Sequence, residues 1–285
     1  MTDVARPVLR YHGGKWMLAP WIIEHFPPHR VYTEAFGGAA SVLMRKDPAS
    51  LIEVYSDLDD EIVSLFRTLR DPALNELLAW ALRFTPFARS EFELSYEPSD
   101  DPVEQGRRTM VRAFMGFGSD AASGAQTGFR ANGNRNGAHP AKDWSNLPKH
   151  LASFCERLSS VVLESRPALE VILQHDSPTT LHYCDPPYVH DTRSAAVTRS
   201  GKGYRHEMTN ADHVRLAEVL HAAEGMVVLS GYAGDLYSDL YADWDISTRK
   251  TFADGGLDRT EVVWLNPACS AALHRSRGGL FAEIE

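Results

Sequence analysis

The chain has 285 residues, enough for one large domain with a buried core, and 44% hydrophobic with 24% charged residues excludes a disordered or collagen-like polymer. Three cysteines (Cys155, Cys184 and Cys269), none in a CxxC pair, exclude a disulfide framework and predict a reducing compartment. The formal net charge of -9, taken whole, argues against a nucleic-acid partner. With no apolar run long enough to span a membrane, and no signal-peptide pattern beside Asp3 and Arg6, the expectation is a cytoplasmic protein without a membrane partner.

In chain order, residues 30–34 read as a short strand, followed by a glycine loop and a helix through Val42, Leu43 and Met44. Residues 51–55 form a second strand, ending at Ser56 and Asp57. Ile62, Val63, Leu65, Phe66 and Leu69 then repeat at helical spacing, and Asp71-Pro72 marks the stop. This βαβα order predicts a parallel sheet covered by helices. Residues 97–102 read as an exposed connection, and 116–137, rich in Gly, Asn and Ser, as a long polar loop or hairpin. Strands resume at 161–164, 180–184, 226–230, 246–249 and 261–265. Between them Thr209 is placed to cap a helix buried through Leu216, Val219, Leu220 and Ala223. Residues 1–71 and 158–285 thus form one α/β unit, interrupted by an insertion at 72–157.

Splitting the charge changes its meaning. Between residues 105 and 150, seven Lys and Arg stand against Asp120 and Asp143, a local +5 that leaves -14 elsewhere. Residues 192–206 hold Arg193, Arg199, Lys202 and Arg205 with no acid. Two basic islands sit in an acidic scaffold.

The sharpest motif is Asp185-Pro186-Pro187-Tyr188, directly after the apolar strand ending at Cys184. Open α/β sheets bind ligands at such carboxyl ends. An exocyclic amine of a nucleobase is a poor nucleophile because its lone pair is delocalised into the ring. The Asp185 carboxylate and the Pro186 carbonyl can accept its two N–H protons, favouring a pyramidal nitrogen. Prolines stiffen those acceptors, and Tyr188 offers a face on which an extruded base can stack. No thiol nucleophile is needed, so Cys184 is a strand residue.

A second motif, Glu34-Ala-Phe36-Gly-Gly38-Ala-Ala-Ser41, follows the first strand. It lacks GxGxxG, so the dinucleotide fingerprint is absent. Asp57, 19 residues after Gly38 at the end of the next strand, stands where an acid holds a ribose hydroxyl. Asp59, Asp60 and Glu61 read as the acidic first turn of the following helix. The third motif, Tyr11-His-Gly-Gly-Lys15, is either a surface turn or a loop bringing an aromatic face and a cation to a cofactor. The histidines fit no metal-ligand spacing, so no metal is expected.

In this order the motifs resemble the Dam-type DNA adenine methyltransferases: an aromatic-x-Gly-Gly-Lys segment, a Glu/Pro-Phe-x-Gly-x-Gly loop, an acid ending the second strand, a target-recognition insertion, then DPPY. The resemblance runs from about residue 9 to 266. It implies a Rossmann-like sheet that uses S-adenosylmethionine, with an inserted, mainly helical target-recognition domain. It implies that Tyr11, Lys15, Glu34, Phe36, Gly38, Asp57 and Asp185 contact the methyl donor, and that Asp185, Pro186, Pro187 and Tyr188 hold a flipped adenine. Double-stranded DNA is the implied partner, met by Arg130, Asn132, Arg135 and Asn136 in the glycine-rich loop and by Arg193, Arg199, Lys202 and Arg205 beyond DPPY. No obligate protein partner is implied. Three positions depart from the pattern: Ala40 where Gly is common, Ala35 where Pro is frequent, and Pro167 where relatives carry an acid near the cofactor adenine. Transfer to an amino-cytosine or to RNA, and a DNA-binding homologue without activity, are the competing readings.

Overall fold

The computed structural model describes residues 4–118, 124–131, 139–189, 205–252 and 258–278. Among them seven strands form one sheet: β1 (Val31–Glu34), β2 (Ile52–Ser56), β3 (Val161–Glu164), β4 (Thr180–Cys184), β5 (Met226–Tyr232), β6 (Asp245–Phe252) and β7 (Asp258–Leu265). Their order is β3-β2-β1-β4-β5-β7-β6, with β1 to β5 parallel and β7 antiparallel between β5 and β6. Every residue of β4 is buried, as expected of a central parallel strand covered on both faces. The last two strands are longer than their apolar runs suggest. They pair with each other from Asp245↔Leu265 to Phe252↔Asp258, so the ladder extends past the residues that face the core.

Helices cover both faces. On one side lie α1 (Ala19–Ile23), α2 (Ser41–Arg45), α3 (Asp60–Arg70), α4 (Pro72–Phe84), α6 (Pro102–Met115) and α8 (Leu151–Leu158), with α5 (Arg89–Leu94) and α7 (Pro140–Asn146) beside them. On the other lie α9 (Ala168–His175), α10 (Asn210–Ala222) and α11 (Asp235–Leu240), while α12 (Pro267–Gly278) packs Cys269 and Leu273 into the first core. Asp71-Pro72 ends α3 as expected but also starts α4. The Asp71 carboxylate accepts from Ala73 N and Leu74 N at 2.9 and 3.0 Å, and proline fits the first helical position, which needs no N–H. Asp101-Pro102 opens α6 in the same way. Thr209 caps α10 reciprocally with Asp212, as its sequence position predicts.

The described residues of 72–157 are mainly helical, with one β-bridge between Gly116 and Phe129. They do not make a core of their own. Leu78, Met110, Phe114, Phe154 and Leu158 join Phe66, Leu43 and Tyr183 in one cluster against the sheet. Arg157 reinforces this by donating to Leu43 O at 2.7 Å while pairing with the buried Glu53 at 2.6 Å.

Strand order reverses between β1 and β4, which opens a crevice at their carboxyl ends. Register lines up the candidate residues there. Glu34 sits level with Tyr55 and Tyr183, so Asp57 and Asp185, each two residues further on, emerge at the same sheet edge.

Candidate functional site

The loop after β1 is held by side chains from β2. Asp57 Oδ2 accepts from Gly38 N at 2.7 Å and its Oδ1 from Asp59 N at 2.8 Å. The Tyr55 hydroxyl donates to Gly38 O at 2.7 Å. Gly38 has a positive φ of 46°, a conformation open to glycine, and its α-carbon faces the Tyr11 ring. Ala40 also has a positive φ, 51°, which costs an L-residue about 1 kcal/mol or more. The departure from glycine noted in the sequence therefore falls on a strained residue. Asp59, expected in the first turn of α3, is instead its N-cap, accepting from Glu61 N at 3.1 Å.

On the opposite bank, Asp185 Oδ2 pairs with Lys15 Nζ at 3.0 Å, the two side chains being 17% and 5% exposed. Lys15 Nζ also donates to Gly13 O at 2.9 Å and lies 4.6 Å from the centre of the Tyr188 ring. The lysine expected to bring a cation to a cofactor thus rests on the protein's own carboxylate. Asp185 Oδ1 is buried with no hydrogen-bond partner among the described residues. The Tyr188 hydroxyl donates to Glu261 Oε2 at 3.0 Å, and its ring meets Tyr232 edge-on at 4.5 Å. Cys184 is buried within β4, as expected.

Burial pushes Asp185 up to about 6, with Lys15 opposing and the charge of Glu261 adding to the rise. Burial likewise pushes Glu34 up to about 8, against the hydrogen bonds from Tyr32 and Leu43 N that lower it. Glu34 therefore keeps its proton near neutrality, and the bank facing Asp185 does not carry a second full charge. Because the folded chain holds this proton and the unfolded chain releases it from about 4.5 upward, Glu34 costs stability as pH rises from about 4.5 to about 8. Glu34→Gln, which cannot titrate, should not lose that stability. Denaturant unfolding at pH 5 and pH 8 should show a difference between variant and wild type that grows by a few kcal/mol, on the order of 1.4 kcal/mol for each tenfold gain in proton affinity on folding. A pH-independent difference would contradict a protonated Glu34.

Between the two banks lies a cavity of about 440 Å³, lined by Tyr11, Lys15, Glu34, Phe36, Gly38, Asp57 and Asp185 among others. Every residue expected to contact a methyl donor thus converges on one space, although the Glu34 Oε2 is already engaged by Tyr32 (2.7 Å) and Leu43 N (2.9 Å). Pro187 lines the cavity, as does Pro167, which presents an apolar ring there. The space suits a small-molecule cofactor. Two buried acceptors, Asp185 Oδ1 and Asp59 Oδ2, have no partner among the described residues. Both observations fit S-adenosylmethionine, which brings hydroxyl and amino donors together with a cationic sulfur.

Arg205, expected on DNA, sits at the cavity rim, where it pairs with Asp59 at 2.7 Å and with Glu61 at 2.7 Å. Glu61 also pairs with Arg112 of α6 and accepts from Gln105 Nε2 at 2.7 Å. This basic residue therefore neutralises scaffold acid. Arg130 is half-buried, and its backbone N–H donates to Met115 O at 2.7 Å. Asn132, Arg135, Asn136, Arg193, Arg199 and Lys202 lie outside the described residues. Sequence reasoning missed Glu261 and Gly37. Nothing in the local motif points to the acid. The first glycine of the Gly37-Gly38 pair reads in the sequence only as general backbone freedom.

The seven-stranded α/β sheet, with its crevice at the β1/β4 switch point, is consistent with an S-adenosylmethionine-dependent methyltransferase fold. Residues 11–101 match the model of the D12 class N6 adenine-specific DNA methyltransferase family. The match supports the adenine DNA methyltransferase family, the one the motif order resembles, and an enzyme of that family is a transferase. It spans the Lys15 segment, the glycine loop and Asp57 but ends before DPPY, which is brought to them by the fold. No curated protein matches the chain. Among the described residues no helix is long and apolar enough to cross a membrane.

Proposed function

We propose that this enzyme transfers a methyl group from S-adenosylmethionine to the exocyclic amino nitrogen of an adenine turned out of duplex DNA. The observation that carries the reading is the buried Asp185 Oδ1, without a hydrogen-bond partner among the described residues, on a side chain that lines the same cavity as the Asp57-clamped glycine loop. When bound, S-adenosylmethionine supplies a methyl group activated by a sulfonium. The chain supplies position and acceptors.

Asp57 and the Gly38 backbone hold the donor from the β1–β2 side, while Tyr11 and Lys15 close it from the N-terminal segment. Asp185 and the Pro186 carbonyl each accept one amine N–H, which leaves the nitrogen lone pair free for in-line attack. Pro187 keeps this turn rigid. Tyr188 supplies the aromatic surface beside the base. Access of a base to that surface requires Lys15 to leave the ring, and a carboxylate on the donor gives it an alternative partner. Residues 72–157 carry target recognition, with Arg130 and its neighbouring loop on DNA, and the basic run beyond DPPY clamps the phosphate backbone.

The purified chain, given labelled S-adenosylmethionine and duplex DNA, should yield labelled N6-methyladenine after nucleoside digestion. Labelled methylcytosine would overturn the choice of base, and DNA binding without transfer would favour a non-catalytic homologue. Asp185 must be ionised to accept the N–H bonds, and the carboxylate form prevails above its pKa. The rate should therefore fall about tenfold for each pH unit below about 6. A rate flat down to about pH 4.5 would remove Asp185 from this role.

A further inference from the structure

We propose that Glu261 is a positioning residue that fixes the Tyr188 ring for transfer. The proposal deepens the methyltransferase reading above and rests on it.

Tyr188 follows two prolines, so its backbone is stiff, but its side chain keeps two free torsions. Besides Lys15 over the ring and a side-chain hydrogen bond with Asp185, two contacts from the sheet restrain that freedom. The hydroxyl donates to Glu261 Oε2 at 3.0 Å, and the ring meets Tyr232 edge-on at 4.5 Å with an interplanar angle of 73°. Both contacts come from one place in the sheet. Tyr232 on β5 and Glu261 on β7 are direct cross-strand partners, so their side chains rise on the same face. The antiparallel insertion of β7 beside β5 brings an acid, 73 residues away in sequence, to the base-holding turn.

Its burial calls for an explanation beyond packing. Glu261 is 6% exposed and Tyr188 7% exposed, and a carboxylate removed from water needs strong partners. A phenol hydroxyl donating to a carboxylate is a directional bond, suited to holding an aromatic plane. The same charge bears on Asp185, whose proton affinity it raises, so the acid couples to both members of the base-holding turn.

The test uses the full chain with duplex DNA and labelled S-adenosylmethionine, measuring kcat, KM for the donor and thermal unfolding. The set is Glu261→Ala, Glu261→Gln, Tyr188→Phe, and the double variant Glu261→Ala/Tyr188→Phe. Glutamine can still accept the tyrosine hydrogen bond, and Tyr188→Phe keeps the ring while removing the donor. Glu261→Ala and Tyr188→Phe should each lower kcat about tenfold, as loss of one oriented hydrogen bond would. Donor KM should stay within about twofold, and the double variant should be no slower than the slower single one, because both remove the same bond. Glu261→Gln should restore kcat to within about threefold of wild type.

Multiplicative losses in the double variant would overturn the role. So would a Glu261→Gln enzyme as slow as Glu261→Ala, or a Tyr188→Phe enzyme at the wild-type rate. Should Glu261→Ala fail to fold, the pair Glu261→Gln and Tyr188→Phe decides alone: an active glutamine variant beside an impaired phenylalanine variant supports positioning, and any other pairing refutes it. A wild-type chain that leaves adenine unmethylated overturns the activity itself, whereas an active wild type with additive variants overturns only Glu261.

Discussion

Asp185→Ala should lower kcat for methyl transfer by at least about 10³-fold while donor affinity changes by less than about tenfold. The Asp185 Oδ1 is buried without a hydrogen-bond partner among the described residues, and Asp185 and Pro187 bring the DPPY turn to the cavity wall. On the proposed function, donor binding would rest mainly on groups elsewhere in the cavity wall: the Gly38 loop clamped by Asp57, the Tyr11 ring and Phe36. Lys15 loses its ion-pair partner in this variant but keeps the Gly13 carbonyl at 2.9 Å. Asp185→Asn provides the control for shape. Its amide has nearly the same volume, yet Lys15 holds the amide oxygen and so turns the NH2 group, a donor, to the amine where an acceptor is required. Both variants should therefore be inactive, and calorimetric titration with S-adenosylmethionine should still show binding. Transfer by either variant within about tenfold of wild type would end the case for Asp185 as the acceptor.

Gly37→Ala should destabilise the fold by about 3 kcal/mol and cost donor binding as well. An added Cβ would lie 2.1 Å from Tyr55 Cε2, far inside van der Waals contact. Tyr55 has nowhere to go: it is fully buried, its ring stacks on Phe66 at 4.8 Å, and its hydroxyl is tied to Gly38 O. The loop must therefore move, breaking the Gly37 N–H bond to Ser56 O and the Asp57 clamp on Gly38. The melting temperature should drop by roughly 6 °C or more. A drop smaller than about 2 °C would mean that the loop relaxes without cost.

What could be read from the sequence was what is encoded locally. DPPY after an apolar strand, an acid ending the second strand and Thr209 before an amphipathic helix each carry their own chemistry within a few residues. The structure puts all three at the expected places. What could not be read depends on residues meeting across the chain. Chain order does not reveal that β7 slips between β5 and β6, so Glu261 looked like an ordinary strand acid. Charge counting places Arg205 in a basic run and does not show that Asp59 and Glu61 stand beside it. Lys15 reads as a cation for a cofactor, and the structure adds that Asp185 offers it a carboxylate within the protein. The pair Asp71-Pro72 reads as a stop, though the same two residues also start the next helix, and Asp71 satisfies its first N–H groups.

The helices between residues 72 and 157 share their apolar side chains with the sheet, and Arg157, Arg112 and Gln105 fasten them to Glu53 and Glu61. A cassette swap, in which this stretch is exchanged for that of a relative with another sequence preference, would strip Leu78, Met110 and Phe154 from the common core and take Arg157 and Arg112 away from the two glutamates. On the proposed recognition role of this stretch, reprogramming the DNA word should therefore proceed by changing exposed side chains on the existing helices, with the inward-facing residues and their arginines retained.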